Sequence, residues 1–366
     1  MPDVPDVPRV QITNPDEFTQ IVPYLIGFTP EESLVIVVVT DGAVAVTARV
    51  DIADIDPPGQ AEMLLDRMWA RFPEADAHLV AYTADQEAGW SLLQRCVDHM
   101  PADSAHQTMV VDGDTWYLPD GESGQTNRYG RVAADASFHG LQRLPSRSEL
   151  VASLASPPET DELASHMKAA LDQLPRPDDT DAVIARMGEL VRRNLPTGAD
   201  GEQSPRMDVG DAAQLSVLAE HGKAREAALL SITREHAREH LALWRTVVNS
   251  VPDFAAEAPL FLTGMAAWAA GEGALAAITL ERSEQVGEPG LYGPARLLSE
   301  LIDQVVPPAA WDELRADGLA HADPRVRQAV AGVRPARIWE SVPQFPLEHT
   351  RRQPPDIAPP APGIAI

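Results

Sequence analysis

The stretch Leu34-Val35-Ile36-Val37-Val38-Val39 limits what this chain can become more than any other. It is β-branched almost throughout, too short to span a bilayer and too apolar for a strand with one wet face. It therefore predicts a strand covered on both sides. Asp41-Gly42 follows, and that pair supplies the positive φ angles of a type I′ turn at low cost. Val44, Val46, Ala48 and Val50 then alternate with Ala45, Thr47 and Arg49, which makes the whole a β-hairpin with a buried first strand.

Before the hairpin, Asn14-Pro15-Asp16-Glu17 opens a short helix, with Asn14 as cap, Pro15 in the first turn and Glu17 at capping-box spacing; Pro23 is expected to end it. After it, Asp56-Pro57-Pro58-Gly59 breaks the chain, and Ala61, Leu64, Leu65, Met68, Trp69 and Phe72 recur on one helical face. His78 to Tyr82, Gln86 to Met100 and Thr108 to Val111 then read as strand, helix and strand, and Asp112-Gly113 turns the chain again. That order predicts a mixed sheet with parallel crossovers and a β-hairpin edge. Pro119 to Gly130 reads as a polar surface loop rather than a lid.

Beyond Ala133 the strand signals fade. We expect an α/β N-terminal domain over 1–155 and an all-α, repeat-like helical domain over 156–332. The latter has an internal linker near 195–206, where Pro, Gly, Asp and Ser crowd together. Gly264, Gly271, Ala276, Leu280, Ser283 and Pro289 follow the order of small residues in a tetratricopeptide hairpin, although no steady period accompanies them. Residues 333–366, punctuated by Pro335, Pro343, Pro346, Pro354 and Pro355, read as a disordered proline-rich tail.

Several of these residues carry a family likeness. Val22-Pro23-Tyr24-Leu25-Ile26-Gly27-Phe28, Pro30, Ser33-Leu34-Val35 and Arg49-Val50-Asp51 resemble the opening of an actinobacterial family, domain of unknown function 4192. The resemblance continues through Pro145-Ser146-Arg147 with Leu150, Trp268 with Gly271-Glu272-Gly273-Ala274, and Pro308 with Trp311, covering most of residues 11 to 320. Where the family has Arg-Asp and Gly-Asp-Gly, this chain has Arg225-Glu226 and Gly271-Glu272-Gly273, which keep the charge. The resemblance implies no activity, substrate or catalytic residue.

Charge excludes one class of partner. At a formal net charge of −26 the chain opposes a phosphate backbone, so no nucleic-acid partner is expected. No stretch is long enough to cross a membrane, and Met1 to Val10 is no signal peptide, so none is expected at a membrane either. Cys96 is the sole cysteine, which fits a cytoplasmic compartment; among Leu92, Leu93, Val97 and Met100 it reads as a small core residue, not a nucleophile.

Three motifs invite chemistry. His236-Ala237-Arg238-Glu239-His240 matches the inverted zinc-peptidase pattern, in which imidazoles four apart share a helix face. Its setting, a charge-dense helix from Arg234 to Arg245, reads as a solvated face instead, so no metal is expected. Gly271-Glu272-Gly273-Ala274-Leu275-Ala276 matches a relaxed dinucleotide fingerprint, but a helix precedes it where a strand is required. It reads as a turn between helices, and no cofactor is expected. Arg49 and Asp51, alternating with Val50, point to one face, where an arginine can hold a carboxylate or phosphate. Tyr24 lies just before the same strand pair. These three are the candidate ligand-binding residues, unless Arg49 and Asp51 simply pair with neighbours.

The leading expectation is a cytoplasmic, non-enzymatic interaction or regulatory protein with a partner-binding helical half. The alternative is a small-molecule-binding or hydrolytic enzyme with its pocket at the strand ends near Tyr24, Arg49 and Asp51.

Overall fold

The computed structural model describes residues 12–333, except 56, 58, 102–103, 105, 139–140, 197–206 and 288–291. Most of the expected linker and the proline-rich tail from 334 onward therefore lie outside the described residues. Helix α1 (Pro15–Ile26) is followed by strands β1 (Ser33–Thr40) and β2 (Ala43–Asp51), then by the helices α2 (Ile52–Ile55) and α3 (Gln60–Arg71). Next come β3 (Asp76–Tyr82), α4 (Gln86–Asp98), β4 (His106–Asp112), β5 (Thr115–Tyr117), β6 (Ser123–Gln125), α5 (Arg131–Phe138) and α6 (Arg147–Ala152).

The strands form one mixed sheet in the order β2-β1-β3-β4-β5-β6. β1 runs antiparallel to both β2 and β3, so β2 and β3 are parallel with β1 between them. α3 is the crossover that links them. The second crossover, α4, joins β3 to its parallel neighbour β4. β1 is buried from Ser33 to Val39, as its composition predicts. Leu34, Ile36 and Val38 pack with Leu65, Met68, Leu92 and Leu93 of α3 and α4; Val35, Val37 and Val39 face the other way, into the cluster that holds α1.

The hairpin turn has φ of 53° at Asp41 and 73° at Gly42, the left-handed pair that a type I′ turn requires. Asn14 caps α1 by accepting from the Glu17 N–H at 2.9 Å, and the Glu17 carboxylate accepts from the Thr13 N–H at 2.9 Å, so the reciprocal box is displaced by one residue. Pro23 does not end α1. The helix runs through it to Ile26 and stops at Gly27, whose φ of 86° makes the left-handed cap. Buried packing of Phe18, Ile21, Val22 and Ile26 sustains the helix although Pro23 supplies no N–H. The loop at 119–130 contains β6, and it is tied to α1 where Asn127 N–H donates to Asp16 at 2.8 Å and the Thr126 and Thr19 hydroxyls meet at 2.7 Å.

The remaining helices are α7 (Asp161–Leu171), α8 (Thr180–Asn194), α9 (Val209–Glu220), α10 (Gly222–Ser231), α11 (Ala237–Val248), α12 (Glu257–Ala269), α13 (Gly273–Val286), α14 (Ala295–Asp303), α15 (Trp311–His321) and α16 (Pro324–Gly332). α12 is buried from Ala258 to Ala269 and is the hub of this half. Gly264 lets α12 lie close against α13 and α14: a Cβ there would sit 2.2 Å from Thr279 Oγ1 and 2.4 Å from Leu298 Cδ2. Gly271, with φ of 85°, makes the turn from α12 to α13, the role expected of the Gly-Glu-Gly stretch. α13 touches α1, α6 and β2, so it ties the helices to the sheet.

Candidate functional site

Tyr24 stands on the last turn of α1, and the chain from Leu141 to Leu144 runs beside it. That segment is fixed by a bridge between Phe28 and Leu144, in which Leu144 N–H donates to Gly27 O at 2.8 Å and Thr29 N–H donates to Leu144 O at 3.1 Å. An open cleft of about 450 Å³ results, lined by Tyr24, Ser137, Leu141, Gln142, Arg143 and Leu144. The Arg143 guanidinium lies over the Tyr24 ring, 5.5 Å from its centroid. Such stacking holds a cation in place while leaving its N–H groups to point elsewhere. Among the described residues Arg143 has no carboxylate partner. The Ser137 hydroxyl is within 3.4 Å of the Tyr24 hydroxyl and donates to Ala133 O at 2.9 Å.

Arg49 and Asp51 do share a face, and they close on each other: Arg49 Nη2 lies 2.5 Å from Asp51 Oδ1. The arginine side chain is 11 % exposed and stacks over Phe28, 5.6 Å from the ring centroid. Its charge is thus spent at the seam where β2 meets the helices. Nearby, a Cβ at Gly273 would lie 3.9 Å from Thr47 O, which shows how closely the start of α13 approaches this edge strand. Tyr24 meets Arg143 and Ser137, whereas Arg49 meets Asp51, Glu31 and Phe28. The three candidates therefore divide between a cleft and a seam.

The histidine motif departs from its expected surroundings. α11 begins at Ala237, with His236 just before it, and both His236 and His240 are buried. They do not lie on a solvated face, because His240 falls on the same stripe as Leu241, Trp244 and Val248. Burial, with His236 and Arg315 nearby, pushes the His240 imidazole down to about 3 despite a backbone hydrogen bond to Ser231. No group of three or more potential metal ligands occurs among the described residues. Cys96 is buried in the sheet-facing side of α4, and burial raises its thiol to about 11, so it is held as the neutral thiol. No helix among the described residues is long and apolar enough to cross a membrane.

Sequence reasoning missed Arg143, Ser137 and Gln142, because nothing in the local pattern announces that Leu144 bridges to Phe28. A family model described as a domain of unknown function (DUF4192) matches residues 15–309. No curated protein and no solved structure matches the chain.

Proposed function

The chain belongs to the DUF4192 family, and from that premise we propose that it is a cytoplasmic, non-enzymatic regulatory protein that binds a small anionic ligand in the cleft between α1 and α5. One observation carries this reading: in a chain of net charge −26, the Arg143 guanidinium is stacked on Tyr24 at the cleft and has no carboxylate partner among the described residues. A carboxylate or phosphoryl group would complete it, with the Tyr24 hydroxyl and the Gln142 amide as neighbouring donors. Hydrolysis is the weaker reading. The described lining holds no carboxylate or imidazole to activate Ser137, whose hydroxyl already donates to Ala133 O.

The test is thermal denaturation of wild type and Arg143→Ala against inorganic phosphate, nucleoside monophosphates and dicarboxylates. At least one anion should raise the wild-type Tm saturably. Loss of a charge-assisted hydrogen bond worth about 1.5–3 kcal/mol should weaken that anion roughly ten- to hundredfold in Arg143→Ala. No saturable shift with any of these anions, or an equal shift in the variant, would overturn the assignment.

A protein partner for the helical half is the second reading, and Phe254, 72 % exposed in the short 3-10 turn Asp253–Ala255, favours it. A photo-crosslinking residue at 254 should trap one defined adduct in cells; no adduct would remove it.

A further inference from the structure

The cleft beside Tyr24 restricts the charge of what it can hold. Among the described residues its lining offers one cation, Arg143, and no second one. Tyr24 lies in the last turn of α1 and Ser137 in the last turn of α5, and neither turn contains a basic residue. Both helices therefore bring the negative ends of their dipoles to the cleft, a setting that suits a single cation. One bound negative charge is balanced by Arg143. A second charge on the same ligand would meet two helix C-termini, in a chain of net charge −26, with no further lining cation to offset it.

The rest of the lining is largely apolar. Tyr24, Leu141 and Leu144 are partly buried and pack against the apolar cluster that sheet and helices share, so the cleft backs directly onto the core. Both leucines are fixed by backbone bonds: Leu141 N–H donates to Ala136 O at 3.0 Å, and Leu144 forms the bridge to Phe28. Polar groups are few. The Tyr24 hydroxyl and the Gln142 amide are at hand, while the Ser137 hydroxyl donates to Ala133 O. That set is poor for the three strong acceptor oxygens of a phosphoryl group, whereas the two oxygens of a carboxylate match the guanidinium fork of Arg143. At about 450 Å³ the cleft falls within the range of small-molecule sites, roughly 300–1,000 Å³.

We propose that the cleft takes a monocarboxylate with an apolar body, its carboxylate on Arg143 and its hydrocarbon part along Leu141 and Leu144. This rests on the anion-binding reading of the cleft and narrows it. At neutral pH such a ligand carries a single charge, whereas a phosphate monoester carries about 1.5 to 2. A dicarboxylate accordingly binds through one end only, and inorganic phosphate, which has no apolar part, binds more weakly still.

Ligand-observed NMR titration of the full chain with butyrate, hexanoate and octanoate, set beside hexanamide and hexyl phosphate, tests this. Each added methylene should tighten wild-type binding about two- to fourfold, as a partly to fully buried CH₂ does. Loss of the charge-assisted bond should make hexanamide roughly tenfold weaker than hexanoate, and Arg143→Ala should weaken hexanoate by a similar factor. Hexyl phosphate should bind more weakly than hexanoate. Leu141→Ala should flatten the rise from butyrate to octanoate while leaving butyrate little changed, a pattern that general loss of structure does not give. Hexyl phosphate binding more tightly than hexanoate, and lost in Arg143→Ala, would overturn this inference while leaving the anion-binding reading in place. Affinity that ignores chain length, or hexanamide binding as well as hexanoate, would overturn it too. No saturable binding by any of these anions would overturn both.

Discussion

At Gly264 two opposing effects of a single methyl group can be weighed. In a helix interior, Gly→Ala is worth about 1 kcal/mol of propensity. Here the new Cβ would meet Thr279 Oγ1 at 2.2 Å and Leu298 Cδ2 at 2.4 Å, both in fully buried side chains. Overpacking of that kind costs about 1–3 kcal/mol and more when neighbours cannot yield, so Gly264→Ala should be net destabilising. Calorimetry should find Tm lowered by a few degrees; a rise would show that α13 and α14 move aside freely. Arg49 poses a similar choice between its charge and its stem. Asp51 is 44 % exposed, and such an ion pair is worth under about 1 kcal/mol, whereas the arginine side chain as a whole is only 11 % exposed, with its guanidinium carbon over Phe28. Arg49→Ala should therefore cost about 1–2 kcal/mol, Arg49→Met should recover most of it, and a double-mutant cycle with Asp51→Ala should give a small coupling. The shared face of Arg49 and Asp51 was legible because strand alternation is a local rule. Arg143 was not, since its place depends on the distant bridge between Phe28 and Leu144. His240 was legible in principle: it lies on the stripe of Leu241, Trp244 and Val248, but the arginines and glutamates around it masked that spacing.

Elements were readable where one local device decides them. The hairpin follows from the β-branched run and the Asp41-Gly42 turn, and the turn from α12 to α13 follows from Gly271. Reading failed where tertiary packing overrules a local signal, as at Pro23, or where three residues pair only because a neighbour exists, as in β6 against β5. The start of α1 joins the two kinds of information. Burial works to raise the Glu17 carboxyl, but hydrogen bonds from Arg131 and Thr13 outweigh it and hold the group below its ordinary value. A carboxylate lowered in the folded state contributes stability above its unfolded pKa and loses it as pH falls through the lowered value. Glu17→Gln should thus lower Tm at neutral pH, and the two Tm curves should converge below about pH 4. Parallel curves throughout would show that Glu17 acts by shape alone. Asn14→Ala, which removes the cap of the same helix, should cost about 1 kcal/mol by urea unfolding at any pH above that range.

For the molecule as a whole, the question is whether sheet and helices stand separately, as the composition change near residue 155 suggests. The contacts argue for mutual dependence. One buried apolar cluster runs from Ile12 and Val35 through Leu154 to Trp244, Trp268 and Trp311. Several residues that carry the family likeness meet along this seam. Arg49 and Asp51 lie on the edge strand, Gly273 approaches Thr47 O, and Arg147 of α6 pairs with Glu281 of α13 at 2.5 Å. The last pair is a third to a half exposed, so it contributes under about 1 kcal/mol and does not hold the halves together. Apolar burial does, which explains why a single family match spans both sides of the change in composition. Arg147→Ala should accordingly leave the urea midpoint almost unchanged. At neutral pH the sheet and α12 should unfold in one transition, with hydrogen exchange in β1 and in α12 reporting the same midpoint. Two separated midpoints would mean that the shared cluster is a contact between independent domains. A single one would mean that neither half buries enough apolar surface alone, and that the cleft at Tyr24 and Arg143 depends on helices that never touch it.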